Sequence, residues 1–276
     1  MNLAIDAGGT NLRAEIYSNG VCVAKKEAKS SEIWLYAWIK TLLDEFKEIR
    51  DIGISFAGQV KDGVIISAPN IQIDEHHIKT RVEEEYSVTL HIDNDLNCAI
   101  LAEANEFKVK NIAALYVGTG LGLGVMESGK VVRGFGNVAT ELGHIPYKKA
   151  PFLCGCSRDN CLELYASGSA ISKWIKYKNI SCNGSLQELK SIDPLLADMF
   201  HEALLVAAGT TLTLFNPKVL VLGGGVIEAN PYLEDLILKN IKNYTLSNSL
   251  EDLTICRSRV QNAPIKGALL LKDYYA

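Results

Sequence analysis

The 276 residues include 48% hydrophobic and 22% charged side chains, an ordinary globular balance in a chain longer than one hydrophobic core normally spans, so two lobes are expected. The net charge of -4 leaves no basic footprint for nucleic acid. Met1 to Asp6 lacks the basic and apolar regions of a signal peptide, and a cytoplasmic protein with no membrane partner is expected.

The pattern predicts a strand over Leu3 to Ile5 that ends at Asp6, a glycine turn (Gly8, Gly9, Thr10) and a second strand through Ile16. Ser18-Asn19-Gly20 turns the chain into a third strand, Val21 to Lys25. Leu35, Trp38, Ile39, Leu42, Leu43 and Phe46 recur at helical spacing. Strands follow at Ile52 to Phe56 and Val64 to Ser67, a polar helix at Glu75 to Tyr86, a strand at Val88 to Ile92 and a helix at Asp95 to Phe107. The order then repeats: strand Ile112 to Val117, turn Gly118-Thr119-Gly120, strand Gly122 to Glu127, tight turn, strand Val131-Val132. Two related lobes, each offering one glycine turn, can thus face each other across a cleft. Their expected extents are 1–109 and 110–262, with a C-terminal helix over 263–276 completing the first. Helices are expected at Leu164 to Tyr177, Pro194 to Phe215 and near Pro231 to Tyr244. Strands are expected at Val219 to Leu222 and near Thr254 to Arg257. The uncharged runs Asn111 to Met126 and Ala203 to Phe215 are interrupted by glycines or too short to cross a bilayer, so both read as core.

Five clusters bear on chemistry. Glycines at 8 and 9 let backbone N–H groups approach a phosphate, Thr10 adds a hydroxyl, and Asp6 is placed to hold Mg²⁺ through water; a plain hairpin turn uses the same residues. Gly118-Thr119-Gly120 suits a second phosphate turn. It fails the dinucleotide fingerprint, because a strand rather than a helix follows. Gly223-Gly224-Gly225 can seat a base or ribose against bare backbone, or simply join strand to helix. Asp93-Asn94-Asp95 opens a helix: Asp and Asn there are ordinary N-caps, and one carboxylate can also accept a hydroxyl proton. The most specific cluster is His144, Cys154, Cys156 and Cys161, four ligands that would close a tetrahedral, structural zinc shell. Among seven cysteines, Cys22, Cys98, Cys182 and Cys256 read as structural.

Together these motifs resemble the ROK family of sugar kinases and repressors, over nearly the whole chain. The resemblance implies an α/β, two-lobed actin-like ATPase (ribonuclease H-like) fold with a cleft between lobes. It implies that Asp6, Gly8, Gly9 and Thr10 form the first phosphate motif, Gly118, Thr119 and Gly120 the second, and Gly223, Gly224 and Gly225 the adenosine motif. It implies that Asp95 is the catalytic base, that Asn70 and Asn94 contact sugar, and that Glu141, His144 and Glu163 bind it. His144, Cys154, Cys156 and Cys161 match the family's zinc ligands. A zinc-bound imidazole keeps its other nitrogen protonated for a sugar oxygen. The chain departs from the family pattern at Ala57, where Pro is usual, after Asn70, and at Ser157 and Asn160, where glycines are common.

The expected activity is ATP- and Mg²⁺-dependent phosphorylation of a hexose, glucose to glucose 6-phosphate first, with N-acetylmannosamine, N-acetylglucosamine or fructose as alternatives. The expected partners are sugar and ATP, and a homodimer is expected from the family. A sugar-responsive regulator is the rival. It ranks lower because a phosphate motif at residue 6 leaves no room ahead of it for a helix-turn-helix.

Overall fold

The apolar run at Leu3 to Ile5 predicts a buried strand, and in the computed structural model, which describes residues 1–182 and 184–275, it lies at the centre of a five-stranded sheet. The chain divides into two units. Unit 1 comprises 1–106, 133–139 and 260–275, and unit 2 comprises 107–132 and 140–259. The return of 133–139 to unit 1 is marked by nothing in the hydrophobic pattern.

Unit 1 opens with β1 (Asn2–Ala7), β2 (Asn11–Ser18) and β3 (Val21–Lys29), joined as antiparallel neighbours. Between β2 and β3, Asn19 and Gly20 take φ of 48° and 79°, as the tight turn requires. Helix α1 (Leu35–Glu45) buries Leu35, Trp38, Ile39, Leu42 and Leu43. Trp34 gives it no side-chain cap. Asp74 caps it from a distance, accepting from the N–H groups of Tyr36 at 2.9 Å and Ala37 at 3.1 Å. Next come β4 (Asp51–Phe56), the hairpin β5 (Gln59–Lys61) and β6 (Val64–Ser67), α2 (Ile78–Glu85), β7 (Thr89–Asn94) and α3 (Asp95–Phe107). The sheet order is β3-β2-β1-β4-β7, with β4 and β7 parallel to β1. Helix α2 starts later than Glu75 because the chain at 75–77 is drawn onto β6: Ile65 N–H donates to His76 O at 2.9 Å, and a His76 ring nitrogen meets Ile65 O at 2.8 Å.

Unit 2 repeats the plan. Strands β8 (Ile112–Val117), β9 (Leu121–Glu127) and the two-residue β10 (Lys130–Val131, one residue earlier than expected) are antiparallel neighbours. The cysteine loop then leads to α4 (Gly168–Tyr177), α5 (Leu186–Ile192) and α6 (Pro194–Phe215). Helix α4 does not begin at Leu164. Ser167 is extended and its Oγ accepts from Ala170 N–H at 3.0 Å, an N-cap that fixes the start. Helix α6 is long and apolar enough to cross a membrane, but 67% of its most apolar window is buried, as a core helix requires. Strand β11 (Val219–Gly223), α7 (Gly225–Ala229), α8 (Tyr232–Asn240) and β12 (Thr254–Arg257) complete the unit. Helix α8 ends at Asn240 and continues as a 3-10 turn, Ile241–Asn243, short of the expected Tyr244. The order β10-β9-β8-β11-β12 reproduces that of the first sheet, again with the last two strands parallel to the first.

The final helix, α9 (Ala263–Tyr275), returns to unit 1 and packs on β1, β4 and β7; Ala276 lies outside the described residues. Its contact depends on glycine. A Cβ at Gly53 would sit 1.9 Å from Ala268 O, and one at Gly267 would sit 1.7 Å from Cys98 O. Each unit has its own apolar core, around Phe56 in unit 1 and around α6 in unit 2.

Candidate functional site

In both units the candidate residues collect where the parallel strands end, the place where open α/β sheets present ligand sites. In unit 1, Asp6 lies on β1 opposite Arg13 of β2. Burial pushes its carboxyl above the usual range, against the pull of the Ser55 hydroxyl at 3.3 Å and of Arg13. The turn beyond it is closed by Gly8 N–H donating to Asn11 O at 3.1 Å. Its carbonyls are held by the fully buried Ser30, whose N–H donates to Thr10 O at 3.1 Å and whose Oγ donates to Gly8 O at 2.6 Å. With those oxygens committed, the exposed Gly9–Thr10 backbone can turn its amides to an anion. Nothing in the sequence singles out Ser30, because its contact is with a turn 20 residues earlier.

Asn70 packs on this turn, its Cβ 3.0 Å from where a Gly9 Cβ would stand. Its loop is anchored by Leu35 N–H to Gln72 O at 3.1 Å and by the Asp74 cap of α1. Ala57 N–H donates to Ala7 O at 2.9 Å, and Asn94 Nδ2 reaches the next carbonyl, Gly58 O, at 3.2 Å. Asn94 also caps α3, its Oδ1 accepting from Leu96 N–H at 2.9 Å; Asp95 Oδ1 shares that donor at 3.0 Å. The structure thus gathers Asp6, the first turn, Asn70, Asn94 and Asp95 at one end of the first sheet.

In unit 2 the second turn is closed by Gly118 N–H to Gly120 O at 3.0 Å. Its outer carbonyls are taken by the N-terminus of α4: Gly168 N–H meets Gly118 O at 2.8 Å and Ser169 N–H meets Thr119 O at 3.1 Å. Glu163 reaches the same turn, its Oε2 accepting from Leu121 N–H at 3.0 Å. Gly224, at φ 90°, lies against the end of β8, where any Cβ would be 2.5 Å from Val117 O. Gly225 opens α7. The second turn, the glycine triplet and Glu163 are therefore one neighbourhood.

That neighbourhood continues into the cysteine loop. Cys154 Sγ lies 3.5 Å from Glu163 Oε1 and 3.6 Å from His144 Nδ1, and Cys156 Sγ lies 3.3 Å from Cys161 Sγ. All four candidate ligand atoms of His144, Cys154, Cys156 and Cys161 fall within 4.8 Å of one another. A tetrahedral zinc with Zn–S bonds of about 2.3 Å spaces its ligands by roughly 3.7 Å, so the donor set and its spacing fit that ion. Hydrogen bonding from Arg158 pulls the Cys156 thiol down to about 6, while burial pushes Cys154 up to about 12. His144 turns Nδ1 toward the thiols and Nε2 toward Glu141 Oε2, 3.9 Å away. Partial burial raises the Glu141 carboxyl, with His144 pulling it down and Glu163 pushing it up. Ser157 occupies the left-handed region at φ 67°, a strain that the family's glycine would avoid.

Known proteins resemble this chain in sequence and fold. A family model described as "ROK family" matches residues 2–274. A glucokinase of Streptomyces coelicolor is 26% identical over 283 residues, covering 90% of this chain and 89% of that protein. A xylose repressor of Bacillus subtilis is 28% identical over 230 residues, covering 78% of this chain and 59% of the repressor. A ROK family glucokinase from Streptomyces griseus, solved in complex with glucose and AMPPNP, superposes with a TM-score of 0.76 at 23% identity, covering 99% of both chains. The duplicated sheets are those of the actin-like ATPase fold.

Proposed function

The chain belongs to the ROK family, and on that premise we propose that it is an ATP-dependent sugar kinase acting on a hexose, with glucose as the first candidate. The observation that most supports this is the pairing of Asn94 and Asp95 at the end of β7. Asn94 caps α3 and grips Gly58, and Asp95 follows it directly as the first residue of the helix, sharing the Leu96 N–H. In this reading Asp95 accepts the proton of the sugar's primary hydroxyl. The hydroxyl oxygen bonds to the γ-phosphorus, the bond to the bridging oxygen breaks, and ADP leaves.

The amides of Gly8, Gly9 and Thr10 and of Gly118, Thr119 and Gly120 bind phosphate oxygens. The bare backbone of Gly223, Gly224 and Gly225 receives adenosine. Asp6 would hold Mg²⁺, which when bound neutralises phosphate charge. Asn70, Asn94, Glu141, His144 and Glu163 bind sugar hydroxyls. His144, Cys154, Cys156 and Cys161 would hold zinc, which when bound fixes the His144 ring so that Nε2–H can donate to the sugar. A homodimer is the proposed assembly, read as twice the monomer mass in light scattering.

The test is ADP release with MgATP over glucose, mannose, fructose, N-acetylglucosamine and N-acetylmannosamine. One sugar should stimulate turnover, and Asp95→Asn should lower its kcat by about 10²–10⁴-fold. The similarity to a xylose repressor supports a second reading, a sugar-responsive regulator. Sugar binding without stimulated ADP release would favour the regulator and end the kinase proposal.

A further inference from the structure

Asp93 is 1% exposed, and a carboxyl group so buried needs strong partners. Six donors converge on it. Oδ1 accepts from Asn94 N–H at 2.8 Å, Asn97 Nδ2 at 2.8 Å and Asn137 Nδ2 at 3.3 Å. Oδ2 accepts from Arg133 Nε at 2.9 Å, Arg133 Nη2 at 2.5 Å and the Tyr275 hydroxyl at 3.0 Å. Arg133 is itself held, its guanidinium 5.0 Å and 5.3 Å from the ring centroids of Tyr274 and Tyr275, with Nη1 donating to the Tyr274 hydroxyl at 3.1 Å. Asn137 donates as well to Val60 O at 2.6 Å.

The origin of these donors is informative. Asn94 N–H and Asn97 Nδ2 belong to the strand–helix corner that carries Asp95. The other four come from the 133–137 segment, 40 to 44 residues away in sequence, and from the last turn of α9, 182 residues away. One carboxylate thus bolts that corner to two remote parts of unit 1. A carboxylate offers about four acceptor sites, so six donors saturate it and leave it little freedom to rotate. A neutral amide could not reproduce the set, because its NH₂ would face donors.

We propose that Asp93, locked by Arg133 and Tyr275, is a positioning residue that sets the direction of the Asp95 carboxylate. This deepens the kinase reading and rests on it. Positional errors of about 1 Å at a reacting group can cost about 10²-fold in rate, so a corner with this task needs a rigid anchor. A mere staple between α9 and the sheet would change stability without changing turnover per folded molecule.

The experiment compares Asp93→Asn, Tyr275→Phe and Arg133→Lys with the unsubstituted protein, using the best sugar of the panel. kcat, both KM values and the pH profile are normalised to folded protein by circular dichroism. The proposal expects kcat to fall about tenfold or more in Asp93→Asn and a few-fold in Tyr275→Phe, with KM for ATP changed less than about twofold and the acid limb of the profile shifted. Tyr275→Phe and Arg133→Lys keep the test alive if Asp93→Asn does not fold, because each leaves the carboxylate in place. Full kcat per folded molecule in the variants, beside an active unsubstituted protein, overturns the positioning role alone. No sugar-stimulated turnover in the unsubstituted protein overturns the kinase reading, and this role with it.

Discussion

In unit 1 the glycine turn after β1 has its carbonyls held by Ser30, through one N–H and one hydroxyl. In unit 2 the turn after β8 has its carbonyls held by two backbone N–H groups at the start of α4. Two residues before the first glycine, unit 1 has a carboxylate, Asp6, where unit 2 has Tyr116. Beside the second turn stands Glu163, joined to the thiol cluster; the first turn has Asn70 instead. The strand order of the two five-stranded sheets is the same, so the duplication extends to their topology, with the β5–β6 hairpin added in unit 1. Both turns also share one feature: their carbonyls are hydrogen-bonded back into the unit, which leaves the amides free to face an anion outward. The surrounding side chains divide the labour. The Asp6 carboxylate stands at the strand end behind the first turn, and the second turn is joined through Glu163 to the thiol cluster.

The largest test of that division is removal of metal. Treatment with a strong chelator should release one zinc per chain, abolish sugar-stimulated ADP release and open the 141–163 loop to protease, while peptides of unit 1 stay protected. Zinc addition should restore turnover. Full turnover in protein that contains no zinc would break the comparison at its widest point. Asp6→Asn attacks the other turn. Turnover with MgATP should fall about 10²-fold, yet the protein should melt higher at pH 7. The sign follows from the raised pKa of Asp6. The folded state binds this proton more tightly than the unfolded chain, so ionisation above the ordinary 3.8 destabilises the fold, and the asparagine variant escapes that penalty. The gain in melting temperature should vanish as pH approaches 3.8. A lower melting temperature at pH 7 would show that Ser55 and Arg13 outweigh burial.

A smaller effect separates the two glycines of the second turn. An alanine Cβ at 120 would lie 2.5 Å from Glu163 Oε2, the end of a flexible side chain, so the carboxylate moves and loses Leu121 N–H. Loss of such a charge-assisted bond is worth about 1.5–3 kcal/mol, and KM for sugar should rise about tenfold or more in Gly120→Ala. At Gly118 an added Cβ meets nothing within 4 Å, so Gly118→Ala should leave KM for sugar unchanged. Equal sugar KM values in the two variants would mean that Glu163 does not read the sugar.

The parts of this site that are local in sequence were legible before the fold was. Apolar periodicity marked α1, apolar runs marked β1, α6 and β11, and the glycine clusters marked the turns, because each depends on neighbours within a few residues. The thiol cluster was legible from ligand type alone. What could not be read depends on distant partners. Ser30 acts on Gly8, Asp74 caps α1, and Arg133 and Tyr275 meet at Asp93; none of these pairs leaves a periodic trace. Boundaries failed for the same reason: His76 joins β6 rather than starting α2, and Ser167 rather than Leu164 starts α4. The 133–139 excursion is the largest such case, since polar and glycine-rich residues carry it and the hydrophobic pattern does not.

The smallest expected effects come from two serines, one at each turn, and they test the difference in support most directly. Ser30→Ala removes the 2.6 Å hydrogen bond from the fully buried Ser30 hydroxyl to Gly8 O, leaving that half-buried carbonyl with one partner fewer. The cost should be about 0.5–1.5 kcal/mol, with a fall of a few degrees in melting temperature and a few-fold rise in KM for ATP as the turn loosens. Ser169→Ala should change stability by less than about 0.5 kcal/mol. Thr119 O is bound by the Ser169 backbone N–H, which alanine retains. The Ser169 hydroxyl meets Ser167 Oγ at 3.1 Å, and Ser167 would still cap α4 through Ala170 N–H. Chemical denaturation and ATP saturation curves on the pair read both quantities. If Ser169→Ala proves the more damaging, the second turn is held by side chains after all, and the contrast between a serine-backed turn and a helix-backed one fails.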